Sequence, residues 1–240
     1  MTPSVSESSN VKSSEVFGTA AHDMRSPLTV IVALTELMLL DEELDAAEMR
    51  KLLEAIRTSA GEIHRILDDM QEISRIERGS IELRRTHVDL DALVLGAATD
   101  ANVAHILSID VDDTVTYWNL DSERMQRALM LLLVDALSRS PETIAVHADL
   151  QNDDLCIRIT DGGPRLDDAA LSDLVDSFRR GRRRPTQNAS ASSLGPAVAA
   201  RIVEAHNGAI TAEHGSITGA VVSVRLPLSN DVDSATDRLD

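Results

Sequence analysis

The stretch His22-Asp23-Met24-Arg25-Ser26-Pro27-Leu28 sets an imidazole, an acid, a base, a hydroxyl and a proline inside an apolar helical pattern. On a helix each residue advances about 100°, which puts His22 roughly 200° from Met24 and away from the apolar seam. Ser26, one turn on, shares the face of His22, and Asp23 is its immediate neighbour. A solvent-facing imidazole beside a carboxylate can act as a nucleophile, because the acid fixes the tautomer and can accept a proton. From this turn alone an ordinary surface histidine is the plain alternative.

Two long helices must position that turn. The first is predicted from near Ser13 or Ser14 to about Leu40, with Met24, Leu28, Ile31 and Met38 as its buried seam and Val32, Leu34 and Leu37 widening it. Pro27 lacks a backbone donor and is expected to kink this helix. After the acidic loop Asp41-Glu42-Glu43-Leu44, Asp45 and Glu48 read as a capping box. The second helix keeps a heptad through Met49, Leu52, Ile56, Ser59, Ile63, Ile66, Met70 and Ile73, and ends near Gly79. The two form an antiparallel hairpin. One hairpin cannot cover such a seam, so a four-helix bundle from two chains is expected; an intramolecular coiled coil packed on the following domain is the alternative.

Strands and helices then alternate. Residues 80–89 read as a linker strand, followed by a helix at Leu90–Asn102 and strands at His105–Val111 and Thr114–Trp118. A buried helix spans Asp121–Ser138, and strands at Thr143–Leu150 and Leu155–Thr160 flank the turn Gln151-Asn152-Asp153-Asp154. Helices at Leu166–Phe178 and Leu194–His206 precede strands at Ile210–Ala212 and Val221–Leu226. This pattern predicts a two-layer α+β sandwich. The expected organisation is a disordered N-terminus (1–12), the hairpin (13–79), a linker (80–87), the sandwich (88–228) and a flexible acidic tail (229–240).

Composition narrows the partners. With 40 acidic against 23 basic residues the net charge is −17, which argues against nucleic acid and anionic membrane surfaces. Lys12 and Lys51 are the only lysines, a balance compatible with a salt-rich cytoplasm. Cys156, the single cysteine, permits no internal disulfide and reads as a buried strand residue. Tyr117 and Trp118 read as sheet packing. No apolar run reaches membrane-span length and no secretory h-region opens the chain, so a cytoplasmic protein is expected.

Taken together, these strings resemble the transmitter core of sensor histidine kinases over roughly residues 14–228. His22 to Leu28 resembles the family's H-box. Gly79-Ser80-Ile81-Glu82-Leu83 with Val88-Asp89-Leu90 is similar to the passage out of its second helix. The string from Ala200 to Ile210, with Val224-Arg225-Leu226-Pro227-Leu228, resembles the end of its ATP-binding domain. The resemblance implies that His22 is the phosphoacceptor, that Asp23 helps remove its proton, and that Ser26 stands where relatives position water for dephosphorylating a partner. It further implies ATP and magnesium. Asp135 aligns with a magnesium-holding Asn, Asp161 with the acceptor of the adenine amine, Gly163 with a loop glycine, and Leu194 and Gly195 with the phosphate-side loop.

That pocket departs from the pattern. Leu131 replaces an Asn, and Arg165 replaces a glycine that allows close backbone approach. Ala191, Ser193 and Pro196 replace phosphate-loop residues, with Pro196 removing a donor where N–H groups would face phosphate. Arg179-Arg180-Gly181-Arg182-Arg183-Arg184 lies where the family's mobile lid begins: a phosphate grip, a docking patch for an acidic partner, or a solvated loop.

The expected protein is therefore a dimeric helical hairpin followed by a degenerate ATP-binding α+β domain. Its expected function is to carry a phosphoryl group on His22 and exchange it with a response-regulator aspartate, with ATP binding weakened or lost. An active autophosphorylating kinase and a non-catalytic scaffold are the alternatives. The homodimer would form through residues 13–79. Only about twenty residues precede the H-box, so either any input is expected from a partner, such as an upstream sensor or kinase, or the sequence is a fragment of something longer.

Overall fold

The computed structural model describes residues 5–40, 44–79, 82–140, 142–181, 194–216 and 218–228. The chain divides into two compact units, one of residues 1–81 with 166–201, the other of residues 82–165 with 202–240. Residues 166–201 thus group with the hairpin, although in sequence they fall inside the expected 88–228 domain.

In the first unit, α1 spans Val5–Leu40 and α2 spans Ala46–Glu77. The start at Val5 replaces the expected disorder with helix over residues 5–12, residues 1–4 lying outside the described residues: once a helix is nucleated each further turn costs little, and Ser and Asn are not strong breakers. α1 runs unbroken through Pro27. Its packed stripe is Met24, Pro27, Ile31, Leu34 and Met38, each at least half-buried. Leu28, expected in that seam, is 53% exposed, and Val32 and Leu37 are also exposed. One partner helix covers only a stripe, so the wider apolar face stays open. α2 begins as predicted: Asp45 accepts from the backbone N–H groups of Ala47 and Glu48, while Glu48 accepts from the N–H of Asp45. Ser59, Ile66 and Ile73 of its heptad are buried.

Within the same unit α5 (Asp168–Arg180) packs against α1. Asp167 caps α5 by accepting from Ala170 N–H, and Leu174 and Phe178 are buried, as are Val16 and Ala20 on α1. In α6 (Gly195–Ala205), the buried Arg201 reaches Glu77 at 3.6 Å and donates to the carbonyl of Arg179. It thereby ties α6 to the ends of α2 and α5.

The second unit is built on a five-stranded mixed sheet ordered β2-β4-β5-β7-β6. The strands are β2 (Leu107–Val111), β4 (Ile144–Gln151), β5 (Asp154–Asp161), β6 (Ala209–His214) and β7 (Ala220–Leu226). β2 runs parallel to β4, and the remaining pairs are antiparallel. Asn152 and Asp153, at φ 53° and 68°, make the tight β4–β5 turn; both are residue types that tolerate the left-handed region. Ile144, Val146, Ile157, Ile159, Val222 and Val224 are buried on one face, where α3 (Leu90–Asp100) and α4 (Ser122–Arg139) pack.

A separate ribbon pairs β1 (Thr86–Asp89) with β3 (Tyr117–Leu120). The strand expected at Thr114–Trp118 starts later, because Asp112 accepts from Thr114 N–H and bends 113–115 into a 3-10 turn. Trp118 is buried in this ribbon, whereas Tyr117 is 60% exposed and does not pack as expected. Cys156 is buried on β5, as read. Among the described residues no helix is long and apolar enough to cross a membrane.

Candidate functional site

The histidine turn stands as the helical wheel implied. The His22 side chain is 70% exposed, and its Nδ1 lies 3.2 Å from Asp23 Oδ1. If Nδ1 carries the hydrogen it donates to the carboxylate, and Nε2 is left as the lone-pair nitrogen facing solvent. Ser26 is exposed one turn on. Pro27 cannot donate to the carbonyl of Asp23, so the helix is one hydrogen bond short directly beneath the reactive turn. Thr29 Oγ1 donates to the Arg25 carbonyl at 2.8 Å in the next turn.

A second cluster lies in the other unit, on α4 and the end of β5. Asp135 and Asp161 are both buried, at 4% and 1% exposure. Between them lies Arg139, which sequence reading did not single out. Its Nε donates to Asp161 Oδ2 at 2.8 Å, and its Nη1 donates to Asp135 Oδ2. Burial alone would lower the guanidinium pKa, but the two carboxylates outweigh it and hold the group above its ordinary value. Asp161 is engaged further, since Oδ1 accepts from Gly163 N–H at 3.2 Å and Oδ2 faces Ala220 N at 3.4 Å.

The loop after β5 is laid tightly on this trio. A Cβ on Gly163 would stand 2.7 Å from the Arg139 carbonyl oxygen. Gly219, at φ +60°, passes so close that a Cβ would stand 2.0 Å from the Asp161 carbonyl oxygen. Glycine at both positions is a steric requirement.

These residues do not fit a magnesium ion or an adenine amine as they stand. A fixed cation is already paired with both Asp135 and Asp161, and the Asp161 carboxylate faces three donors. Leu131, half-buried one turn before Asp135, supplies no oxygen. Among the described residues no cluster of three or more His, Cys, Asp or Glu side chains could hold a metal ion.

The remaining expected residues fall in separate places. Arg165 is exposed, while Leu194, Gly195 and Pro196 are buried at the start of α6. Ala191, Ser193 and Arg182 to Arg184 lie outside the described residues. Arg180, in the last turn of α5, pairs with Asp176 at 2.6 Å. The i,i+4 spacing of Asp135 and Arg139 is a legible ion-pair signal, but the partnership with Asp161, 22 residues away, needed the fold.

A helical hairpin with an exposed histidine and, in the other unit, a mixed-sheet α/β sandwich define a histidine-kinase-type core. The His Kinase A (phospho-acceptor) domain family matches residues 12–79, and the histidine kinase-, DNA gyrase B- and HSP90-like ATPase family matches residues 120–230. The chain belongs to the histidine kinase family and carries its transmitter core. It is 30% identical over 221 residues to the signal transduction histidine-protein kinase AfsQ2 of Streptomyces coelicolor, covering 86% of this chain and 40% of that protein. The chain spans about half or less of the length of the curated relatives it matches. In fold it resembles the Acinetobacter baumannii histidine kinase AdeS (TM-score 0.65, 18% identity, 87% of this chain and 98% of that one). It also resembles histidine kinase ThkA in complex with the response regulator TrrA (TM-score 0.65, 20% identity, 90% of this chain and 61% of that one).

Proposed function

We propose that this chain is a phosphotransferase that carries a phosphoryl group on His22 and exchanges it with an aspartate of a response-regulator receiver domain. The observation that carries the reading is a contrast. His22 is open to solvent with its Nδ1 beside Asp23, whereas the two carboxylates expected to read a nucleotide are tied to Arg139. The complex of ThkA with its regulator supports the class of partner.

The His22 tautomer dictates the step. Nε2 attacks the phosphorus of the regulator's aspartyl phosphate, forming an N–P bond as the acyl P–O bond breaks and the carboxylate leaves with the electron pair. Nε2 has no proton to lose. The positive charge left on the ring is met by Asp23, which accepts the Nδ1–H hydrogen bond and can take that proton. Transfer of this kind depends on positioning and charge neutralisation, and the regulator supplies much of the latter. Ser26, exposed one turn on, directs water at the aspartyl phosphate of a regulator docked over the same helix face, a separate hydrolysis that releases inorganic phosphate and leaves the free carboxylate. Two chains pair through residues 13–79, where the open apolar face of α1 supplies the interface.

Phosphotransfer is tested with a receiver domain charged by radiolabelled acetyl phosphate. Acid-labile label is expected on this protein, and none on His22→Gln. Incubation with radiolabelled ATP and magnesium is expected to leave little label. Robust labelling from ATP that vanishes in His22→Gln would replace the relay with an autokinase. A tight complex with the charged receiver and no transfer would make the protein a scaffold.

A further inference from the structure

We propose that Arg139 is a specificity-determining residue, whose guanidinium takes the acceptor positions of Asp161 and Asp135 and turns the base-reading end of the pocket against adenine. The inference rests on reading those two aspartates as nucleotide-pocket residues. An adenine amine is a donor and needs an open lone pair on Asp161. The Asp161 carboxylate instead meets Gly163 N–H at 3.2 Å, Arg139 Nε–H at 2.8 Å and Ala220 N at 3.4 Å. These donors take three of the roughly four acceptor sites of the ionised carboxylate, and Arg139 Nη2, buried without a hydrogen-bond partner among the described residues, adds an unspent hydrogen-bonding group at the same end. That group is a donor.

An amine brought to this end meets donor against donor, and the ligand group that suits it is an acceptor, such as the carbonyl of a 6-oxo purine. Sites built around buried hydrogen-bonding groups reject mismatched partners strongly, because a buried polar group is left unpaired. Asp135 is withdrawn in the same way. Its carboxylate would have to leave a guanidinium before it could approach a cation, and removing one partner of a buried ion pair is costly. The loop glycines hold the arrangement closed: Gly163 lies against the Arg139 carbonyl and Gly219 against that of Asp161.

The test is run on the whole 240-residue chain carrying His22→Gln, so that nucleotide binding is read without phosphotransfer and failure of the relay leaves the result unaffected. Calorimetry compares magnesium complexes of ATP and of inosine triphosphate, which bears a carbonyl where ATP bears its amine. The parent is expected to show no preference for ATP. Arg139→Met combined with Asp135→Asn removes the cation together with one of the two carboxylates it balances. This double variant is expected to bind ATP at least tenfold more tightly than the parent, and to prefer it over inosine triphosphate. Arg139→Lys keeps a charge and is expected to stay near the parent.

A purely structural role for Arg139 would not invert base preference. A folded double variant, judged by circular dichroism and cooperative melting, with ATP affinity unchanged or reduced overturns the proposal. So does a parent that prefers ATP. Should the double variant not fold, the parent's ratio of ATP to inosine triphosphate affinity decides alone.

Discussion

At Gly163 a single methyl group decides whether the loop after β5 can close over Arg139. Its Cβ would meet the Arg139 carbonyl at 2.7 Å and the Asp161 carboxylate at 3.0 Å, and backbone does not yield cheaply. Gly163→Ala is expected to destabilise the protein by about 1–3 kcal/mol in urea denaturation, with the slope unchanged. At the histidine turn the expected loss is kinetic. Asp23→Asn keeps an oxygen beside Nδ1 but removes the charge that balances the phosphorylated ring, so label transfer from a charged receiver should slow by about 10²-fold or more while melting temperature holds. His22 and Asp23 were legible because they are neighbours on one helix, where spacing alone fixes the geometry. Arg139 was not: half its meaning lies in Asp161, which the topology of β5 brings to it.

Elements were read well where local chemistry decides them and less well where packing does. The capping box at Asp45 and Glu48 was visible as a string, and Asp45→Ala is expected to cost about 1 kcal/mol in chemical denaturation. The helix α1 was misjudged at both scales of its pattern. Its start lay nine or so residues upstream of the Ser-rich boundary, and Leu28 left the seam, since periodicity cannot say how wide a stripe one partner will cover.

A buried histidine links two elements by an arrangement no string announces. His206 Nε2 accepts from Asp121 N–H at 3.1 Å at the cap of α4, while its Nδ1 donates to the Ile202 carbonyl at 2.8 Å. Only the neutral ring can do both. Burial, helped by the charges of Arg85 and Arg124 and opposed by the Ile202 carbonyl and Asp121, lowers its pKa below the ordinary value. The unfolded chain therefore binds the proton more readily. The contribution to stability is complete above about pH 6.5 and is lost as pH falls below it toward the folded value. His206→Gln should melt lower at pH 7.5 yet show a flatter decline between pH 7 and 5.5 than the parent.

At the scale of the molecule, charge and apolar surface pull in opposite directions. Each chain carries a net charge of −17, and α1 leaves Leu28, Val32 and Leu37 at 40–55% exposure on its open face. Apolar area drives two hairpins together, at about 25 cal/mol for each Å² removed from water, whereas like net charges repel over about a Debye length. Salt shortens that length from about 30 Å at 0.01 M to about 8 Å at 0.15 M and leaves the apolar term intact or stronger. Dimerisation should therefore strengthen with salt, the reverse of an assembly held by ion pairs. Sedimentation equilibrium is expected to give a lower dimer dissociation constant in 0.5 M than in 0.02 M potassium chloride. The double variant Val32→Glu with Leu37→Glu should sediment as a monomer in both, because it removes apolar area and adds two negative charges at the same place. A dimer that weakens as salt is added would assign the interface to polar contacts elsewhere on the hairpin, and a parent that stays monomeric at every concentration would remove the four-helix bundle altogether.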